Sequence, residues 1–304
     1  MPANPSAWRF RAIDQMRKGG RLAAAQDELR LVTPEAAALA DDDGAPDDDQ
    51  LRLIFACCHP ALPPEGQVAL TLRTVCGPTT EEITRAFLLR APTLAQRIVR
   101  AKSRIREAGL RYEVPGPDDL PARLGPVLRV IYPVFNEGYA ARSGDTMLRP
   151  NLSAEAIRLG RRLADLLPDA EVLRLLGLML LHDARRAARM TPRGEVILLA
   201  DQDRALWDAG LIAEGTTLVE RAFASGLVGP YALQGAIAAV HMAAPTAAQT
   251  DWTQILGLHT VLGRIAPSPV VALAVVLATK LAAFALAARG YNPLIGTLGT
   301  IKRG

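Results

Sequence analysis

Apolar residues recur at helical spacing along most of this chain. Two such sets lie in the first half: Val68, Leu72 and Val75, followed by Leu94, Ile98, Ala101 and Ile105. Five further helical patterns fill the second half, at residues 154–167, 171–189, 203–225, 231–243 and 252–265. A period near 3.6 residues is typical of amphipathic α-helices, whereas a period of two predicts strands. The pattern therefore predicts an all-α fold.

Two helix-start signals of the same kind lie between residues 78 and 96. Residues 79–82 (Thr-Thr-Glu-Glu) and 93–96 (Thr-Leu-Ala-Gln) both fit the capping box, and each box follows a proline. Ahead of them, Pro63-Pro64-Glu65 opens a supporting helix that Gly77 ends. Two short capped helices on a supporting helix predict a helix-turn-helix domain, in which the last helix contacts DNA.

The last helix of this group carries a basic surface. With its apolar residues turned inward, the following side chains face elsewhere: Gln96, Arg97, Arg100, Lys102, Ser103 and Arg104. Arginine makes bidentate contacts to guanine, glutamine can do the same to adenine, and further cations neutralise phosphates. The alternative is a solvated basic helix face without a ligand. Two capped helices followed by a cationic face favour DNA binding.

The charge is strongly segregated, although the formal net charge is only +4. Residues 1–40 carry +2, residues 41–50 carry −6, residues 51–112 carry +6 and residues 113–304 carry +2. The acidic decapeptide 41–50 also contains Gly and Pro, which predicts a solvated linker. A second boundary is predicted at 114–119, where two prolines and a glycine interrupt the helical period.

The second half of the chain is expected to form a helical extension. Residues 120–132 are apolar enough for a buried helix, and residues 135–139 (Phe-Asn-Glu-Gly-Tyr) indicate a turn. Pro168 and Pro267 each close a helix, and they lie 99 positions apart. That separation is near three times the ~34-residue tetratricopeptide period, so we expect a degenerate tetratricopeptide-like repeat. Stacked helix pairs of this kind form concave binding surfaces.

Composition excludes several classes of protein. With 50% hydrophobic residues the chain is too apolar for intrinsic disorder, and three cysteines are too few for a disulfide scaffold. Charged residues run through 8–21, so no secretory signal is expected. Residues 270–288 are nearly long enough to span a bilayer, but Lys280 costs ~3 kcal/mol on insertion scales. We therefore expect a cytoplasmic protein that is not in the membrane.

Candidate catalytic and metal-binding groups are few. Cys57-Cys58-His59 with Cys76 suggests zinc, but tetrahedral sites usually need a second spaced ligand pair, which is absent from this set. Buried helix packing is the favoured role for Cys57 or Cys58. His182-Asp183 and His241 lie on apolar helices and are expected to be packed or capped rather than catalytic. No phosphate loop, nucleophile elbow or carboxylate pair is found, so we expect no enzyme activity, no cofactor and no metal.

The basic helix also carries a family resemblance. Residues 93–106 resemble the recognition helix of the fourth conserved region of extracytoplasmic-function (ECF) sigma factors, through Thr93, Arg97-Ile98, Arg100-Ala101-Lys102 and Ile105-Arg106. Residues 64–70 and 80–83 resemble the same region, and residues 51–62 are similar to the ECF subgroup with a C-terminal helical-repeat extension. Departures are Thr84, where the family usually has Ala, and Ala91-Pro92 in place of a turn glycine.

The resemblance extends to both ends of the chain. Residues 4–18 resemble the tail of the second sigma region, which implies −10 element contacts from Arg9, Arg11, Arg17 and Lys18. The earlier helices of that region, which bind the coiled coil of the largest polymerase subunit, are expected to be missing. Residues 201–204, 207–208 and 267–269 resemble recurring pieces of the extension, which is thought to regulate the subgroup without a separate anti-sigma protein. The apolar stretch from Ala274 departs from the family.

The expected organisation is therefore a remnant of sigma region 2 (1–40), an acidic linker (41–50), a sigma region 4 helix-turn-helix domain (51–113) and a helical-repeat extension (114–304). The resemblance implies a sigma factor that binds the β-flap of core RNA polymerase and promoter −35 DNA. DNA contacts are expected from Thr93, Gln96, Arg97, Arg100, Lys102, Arg104 and Arg106. Two alternatives stay open: a stand-alone helix-turn-helix regulator and a helical-repeat scaffold.

Overall fold

The computed structural model describes residues 46–75, 83–84, 90–111, 113–116, 118–139, 149–191, 193–226 and 228–288. The α-helices in these ranges are α1 (Pro46–Cys57), α2 (Pro64–Thr74), α3 (Ala91–Glu107), α4 (Leu120–Tyr139), α5 (Arg149–Leu166), α6 (Ala170–Asp183), α7 (Ala209–Ala224), α8 (Pro230–Ala243), α9 (Trp252–Ile265) and α10 (Pro269–Ala288). No β-strand occurs in the described ranges, where one isolated bridge joins Met190 to Val196. The predicted all-α fold is confirmed.

The chain divides into two compact units, Met1–Leu163 and Ala164–Gly304, which we call the N-terminal and C-terminal units. The division falls inside α5 and not near residue 113, where the sequence predicted the start of the extension. Helix α4 accounts for the difference, because it packs against α1 and α2. The first part of the predicted extension therefore belongs to the N-terminal unit.

The acidic segment is not entirely a linker. Helix α1 begins at Pro46, so residues 46–50, predicted as the second half of the linker, are helical. A proline in the first turn costs no backbone hydrogen bond, and acidic residues are favoured beside the positive end of a helix dipole. Composition alone indicated a break at this point, but the same residues are compatible with a helix start.

Helix α2 is the centre of the N-terminal unit and contacts α1, α3 and α4. Its Leu70 and Leu72 are buried, as are Ile54 and Phe55 on α1. The Nη2 atom of Arg123 on α4 donates to the carbonyl of Phe55 at 3.1 Å. Apolar burial and this bond hold α4 against the end of α1.

Helix α4 continues through a predicted turn. Residues 135–139 are helical, so the turn predicted there is wrong. Phe135 and Gly138 are buried, and the rings of Phe135 and Tyr139 stack with centroids 5.4 Å apart. Packing of this last turn outweighs the polar Asn-Glu-Gly composition that suggested a break. Pro126 and Pro133 also lie inside α4, where a proline removes an intrahelical hydrogen bond.

Helix α6 is the core of the C-terminal unit. Every residue from Val172 to Leu181 is buried, because α7 and α8 both pack against α6. Helix α8 in turn contacts α7 and α9, and α9 contacts α10. Consecutive helices thus pack on one another, while the tetratricopeptide-like period itself stays a prediction.

Small residues allow the helices of this core to approach closely. A Cβ atom added to Gly177 on α6 would lie 2.9 Å from the carbonyl oxygen of Gly215 on α7. One added to Gly215 would lie 2.9 Å from Cγ of Leu181, and one added to Gly235 on α8 would lie 2.8 Å from a methyl of Val219. Separations below 3 Å leave no room for a side chain, so these glycines set the spacing between α6, α7 and α8.

Two helices of this unit are shorter than their apolar patterns predicted. Helix α6 ends at Asp183, and Arg186–Ala188 form a separate 3₁₀ turn. Helix α7 begins only at Ala209, because the carboxylate of Asp208 accepts the backbone N–H of Leu211 at 3.0 Å and caps the helix. In contrast, α5 and α9 end at Leu166 and Ile265, just ahead of the two predicted closing prolines.

The segment 201–208 connects two helices of the C-terminal unit. The Nη1 atom of Arg204 donates to the carbonyls of His241 and Ala244 at 2.9 and 2.6 Å, at the end of α8. The guanidinium also lies 4.4 Å from the ring centroid of Trp207. A cation at the carbonyl end of a helix is favourable, so these residues have a structural role.

Helix α10 exposes several apolar side chains, among them Val270 at 76% and Phe284 at 74%. Within the described ranges, no helix combines the length and the apolar character that crossing a membrane requires.

Candidate nucleic-acid interface

Helix α3, the predicted recognition helix, starts earlier than its predicted capping box. Arg90 is the N-cap residue, without a side-chain capping bond, and Pro92 lies in the first turn. Thr93 is therefore inside the helix, and its predicted capping box is wrong. The helix ends in a Schellman motif in which Gly109 has φ of 57° and Leu110 N–H donates to the carbonyl of Ile105 at 3.1 Å. The other predicted box, 79–82, lies outside the described residues.

One face of α3 is anchored in the N-terminal unit. Leu94, Ala101 and Ile105 are buried, and Ile98 is half-buried beside them. Helix α2 packs against this face, and a Cβ atom on its Gly66 would lie 3.5 Å from the Cβ of Ala101. The predicted inward face is therefore confirmed, and close packing against α2 fixes the orientation of the helix.

The opposite face of α3 is open to solvent. Thr93, Gln96, Arg100 and Arg104 are exposed, and so is Val99 at 61%. Successive residues turn by about 100° in a helix, so Thr93, Arg100 and Arg104 share one stripe. Sequence reasoning did not identify Val99, although its position on the outer face, beside Gln96, indicated exposure. An apolar side chain there could contact a thymine methyl.

Arg97 lies at the edge of the stripe and is only half-exposed. It lines a cavity of about 320 Å³ together with Glu65, Ile83 and Leu94. Its neighbours along the helix, Arg100 and Arg104, are more exposed. Arg97 is thus on the predicted side of the helix, but closer to the core than the other arginines.

Lys102 and Arg106 lie on the other flank of α3, more than a third of a turn away from Arg104. Arg106 is exposed, whereas Lys102 is half-buried and close enough to Cys57 to affect its ionisation. The seven side chains predicted to contact DNA therefore divide into an outer group and a flanking pair. We call the outer group the α3 stripe: Thr93, Gln96, Arg97, Arg100 and Arg104.

Charge on α3 is almost entirely positive, with Glu107 as the one acidic residue of the helix. Among the residues that the structure describes, Arg100 and Arg104 make no ion pair. Unneutralised guanidinium groups on one exposed face produce a positive potential that attracts phosphates.

The predicted −10 contact residues lie outside the described residues: Arg9, Arg11, Arg17 and Lys18. The first helix of the predicted helix-turn-helix is also largely outside them, and only Ile83 and Thr84 are described. Ile83 is buried and shares the Arg97 cavity with Leu94.

The neighbouring cysteines are packed in the core, as predicted. The Sγ atom of Cys57 lies 3.1 Å from the Thr74 hydroxyl, and that of Cys58 lies 3.4 Å from the Thr71 hydroxyl. Burial raises the pKa of Cys57 far above its usual value and that of Cys58 to about 12. Within the described ranges, no three His, Cys, Asp or Glu side chains come together to hold a metal ion.

Comparison with known proteins gives one relative and one family. An uncharacterized protein of Rhizobium meliloti (strain 1021) is 43% identical over 282 residues, which cover 90% of this chain and 67% of the relative. Residues 123–223, from α4 into α7, match a family of unknown function (DUF6596). No solved structure matches the chain. At this identity and coverage the chain belongs to the same protein family as the Rhizobium meliloti protein, and residues 123–223 form its DUF6596 region.

Proposed function

We propose that this protein is an ECF-type RNA polymerase sigma factor, which binds promoter −35 DNA through the α3 stripe and associates with core polymerase. The observation that carries the proposal is the two-sided character of α3. Leu94, Ala101 and Ile105 anchor one face, while Arg100 and Arg104 project from the other without an acidic partner among the described residues.

The dimensions of the stripe suit DNA. From Thr93 to Arg104 the helix rises about 16 Å, and the major groove, about 12 Å wide, admits an α-helix. Gln96 and Arg100 lie in the outermost part of the helix and are assigned to base edges. Arg104 and the flanking Arg106 are assigned to phosphates. Arg97 is assigned to a base and the adjacent backbone, at the inner edge of the stripe.

The resemblance to sigma region 4 supplies the polymerase part of the proposal. Residues 93–106 carry the sigma-like pattern, and the same residues form an exposed, net basic helix. A sigma factor acts by binding, in the cytoplasm, without a catalytic step of its own. The partners are promoter DNA and the β-flap of core polymerase.

DNA binding is tested by fluorescence anisotropy with labelled duplexes across a range of salt concentrations. We expect binding that weakens steeply with salt, since each neutralised phosphate contributes about −0.9 to the slope of log K against log salt. Arg104→Ala should weaken all sequences alike and reduce that slope by about one. Arg97→Ala and Arg100→Ala should cost about 1–3 kcal/mol and relax base preference.

The matched control is Arg221→Ala, because Arg221 is exposed on α7 of the C-terminal unit. It should leave both affinity and salt slope unchanged. Equal losses on cognate and scrambled −35 DNA for Arg97→Ala and Arg100→Ala would remove their base-contact assignment. Salt-insensitive or absent DNA binding would favour the helical-repeat scaffold.

Association with polymerase needs a separate measurement. Co-purification with core enzyme and in vitro transcription from selected promoters should both succeed for a sigma factor. DNA binding without polymerase association would instead identify a stand-alone regulator.

A further inference from the structure

The C-terminal unit contains a cavity of about 190 Å³ that neither the family match nor the proposed DNA binding explains. Its wall comes from the end of α6 and the residues just after it, from Leu199 in a later 3₁₀ turn, from one face of α8 and from α9. The described residues that line it are His182, Arg185, Leu199, Gln234, Ile237, Ala238, His241, Met242 and His259. Three of the four histidines of the chain thus line one cavity.

The charge of this lining is positive. Arg185 carries the fixed charge, and its Nη2 atom lies 3.5 Å from Nδ1 of His182. None of the described lining residues is acidic. The acidic residue next in sequence, Asp183, accepts a hydrogen bond from Nε of Arg186 at 2.7 Å and is neutralised by it. A small pocket lined by one cation and no anion has a positive potential, which favours a negative ligand.

Burial, and then the nearby positive charge, lower the pKa values of His182 and His241. Burial lowers the pKa of His182 to about 3, with further lowering by Arg185, Arg189 and His241. Burial also lowers the pKa of His241 to about 4, helped by Arg185, Arg204 and His259. The fixed charges that act on these two rings, Arg185, Arg189 and Arg204, are all positive. At neutral pH the rings are uncharged, and each neutral imidazole still offers one N–H donor.

The rings are positioned by packing. His241 meets the ring of Trp252 edge to face, with centroids 5.4 Å apart, so α8 and α9 hold its plane. The Nδ1 atom of His259 is buried and has no hydrogen-bond partner among the described residues. A buried polar atom without a partner is costly, and a ligand or water that bonds to it removes that cost.

Apart from Gln234, the rest of the wall is apolar: Leu199, Ile237, Ala238 and Met242. Sites for drug-sized ligands measure about 300–1,000 Å³, so this cavity suits a smaller molecule. A charged end beside Arg185 and a short apolar end against α8 would match both parts of the lining.

We propose that this cavity binds a small organic anion, a carboxylate with a short apolar tail, through Arg185 and the imidazoles of His182, His241 and His259. The site lies within the C-terminal unit and does not depend on DNA binding by α3. It adds a small-molecule ligand to a protein for which only macromolecular partners are proposed.

The first test uses the unmodified protein and the NMR signals of its four histidines. The probe is 4-methylpentanoate near neutral pH, and the neutral 4-methylpentanamide is its matched control. We expect the carboxylate to shift the signals of the three cavity histidines in a saturable way, while His59 of the N-terminal unit stays unchanged. The amide should cause no such shifts. Inorganic phosphate, an anion without a tail, should bind more weakly than the carboxylate.

The second test removes the fixed charge. Arg185→Gln should weaken carboxylate binding by about ten-fold or more, as expected for a lost charge-assisted hydrogen bond. Arg221→Gln is the matched control, because Arg221 is exposed on α7 and is not among the lining residues. Circular dichroism establishes that both variants fold, and the carboxylate-against-amide comparison needs no variant at all.

Three results would overturn the proposal. The first is the absence of saturable histidine shifts up to about 10 mM carboxylate, which would mean a water-filled cavity only. The second is equal binding of a control compound. Equal binding of the amide would show that the negative charge is not recognised, and equal binding of phosphate would show that the apolar tail is not. The third is equal affinity in folded Arg185→Gln and in the parent protein.

Discussion

The Nη2 atom of Arg174 on α6 donates to the hydroxyl of Ser225 at 3.0 Å, just beyond the end of α7. The same nitrogen lies 3.3 Å from the carbonyl of Ala222, and Nη1 pairs with Glu171. The Arg174 side chain is only 1% exposed. A buried guanidinium thus joins the last turn of α7 to the start of α6.

We expect Arg174→Ala to lower the free energy of unfolding by about 3 kcal/mol or more, because it leaves a cavity and removes these hydrogen bonds. Arg174→Met fills most of the volume and should still cost about 1–3 kcal/mol. Urea denaturation measures both, with the exposed Arg221→Ala as a control that should stay within about 0.5 kcal/mol. A fully stable Arg174→Met would show that the side chain acts by packing alone.

Substitution of Gly177 tests the close approach of α6 and α7. Gly177→Ala places a Cβ 2.9 Å from the Gly215 carbonyl, so the helices must separate, at a cost of about 1–3 kcal/mol. Gly257→Ala on α9 is the matched control, since no atom lies within 4 Å of its added Cβ. There the better helix propensity of alanine should stabilise the protein by up to about 1 kcal/mol. Equal shifts of the melting temperature for the two variants would contradict the conclusion that Gly177 allows α6 and α7 to approach closely.

The buried thiols predict low chemical reactivity. Thiolate is the nucleophilic form, and burial raises the pKa of Cys57 and Cys58 well above neutrality. Both should react with iodoacetamide about a hundred-fold or more slowly in the native protein than in urea, since labelling requires opening of the core. Mass spectrometry resolves the modified positions. Native labelling of either residue at the unfolded rate would be incompatible with the packing of α1 on α2.

The depressed histidine pKa values predict a loss of stability in mild acid. An unfolded histidine takes up a proton near pH 6.5, whereas native His182 and His241 do so only at about 3 and about 4. As pH falls below about 6.5 the unfolded state therefore binds more protons, and stability decreases until the native pKa values are reached.

Between about pH 7.5 and pH 5 each of the two residues should contribute a loss on the order of 1–2 kcal/mol. Urea denaturation at several pH values measures the loss, and His182→Gln should make the dependence shallower. A free energy of unfolding that stays constant down to about pH 5 would mean that these imidazoles are solvated in the native protein.

Local sequence patterns predicted α3 and α9 well, because in each of them the apolar residues that define the period are also the residues that pack. Helix α9 has the predicted bounds, 252–265. The predictions were wrong where tertiary contacts, and not the local pattern, determine where a helix begins or ends. The polar end of α4 is helical because Phe135 and Gly138 are buried, and the apolar pattern from 203 is interrupted because Asp208 caps α7.

The candidate sites show the same limit. The stripe of Arg100 and Arg104 follows from the period of one helix, so sequence alone could predict it. The cationic cavity could not be predicted in this way, because His182, His241 and His259 come from three helices and meet only through packing. The sequence predicts that His182 and His241 are packed residues, but nothing in it links them to His259.

The two prolines inside α4 bear on how the N-terminal unit folds. Pro126 and Pro133 cannot donate to the carbonyls of Ala122 and Arg129, so α4 lacks two of its backbone hydrogen bonds. A helix that lacks these bonds is less stable on its own and depends more on packing. Val127, Ile131 and Phe135 of α4 are buried, and α4 contacts α1 and α2. Helix α4 therefore has little intrinsic stability, and its contacts with α1 and α2 contribute most of what keeps it helical. A substitution that loosens the packing of α1 on α2 should therefore also reduce the helicity of α4.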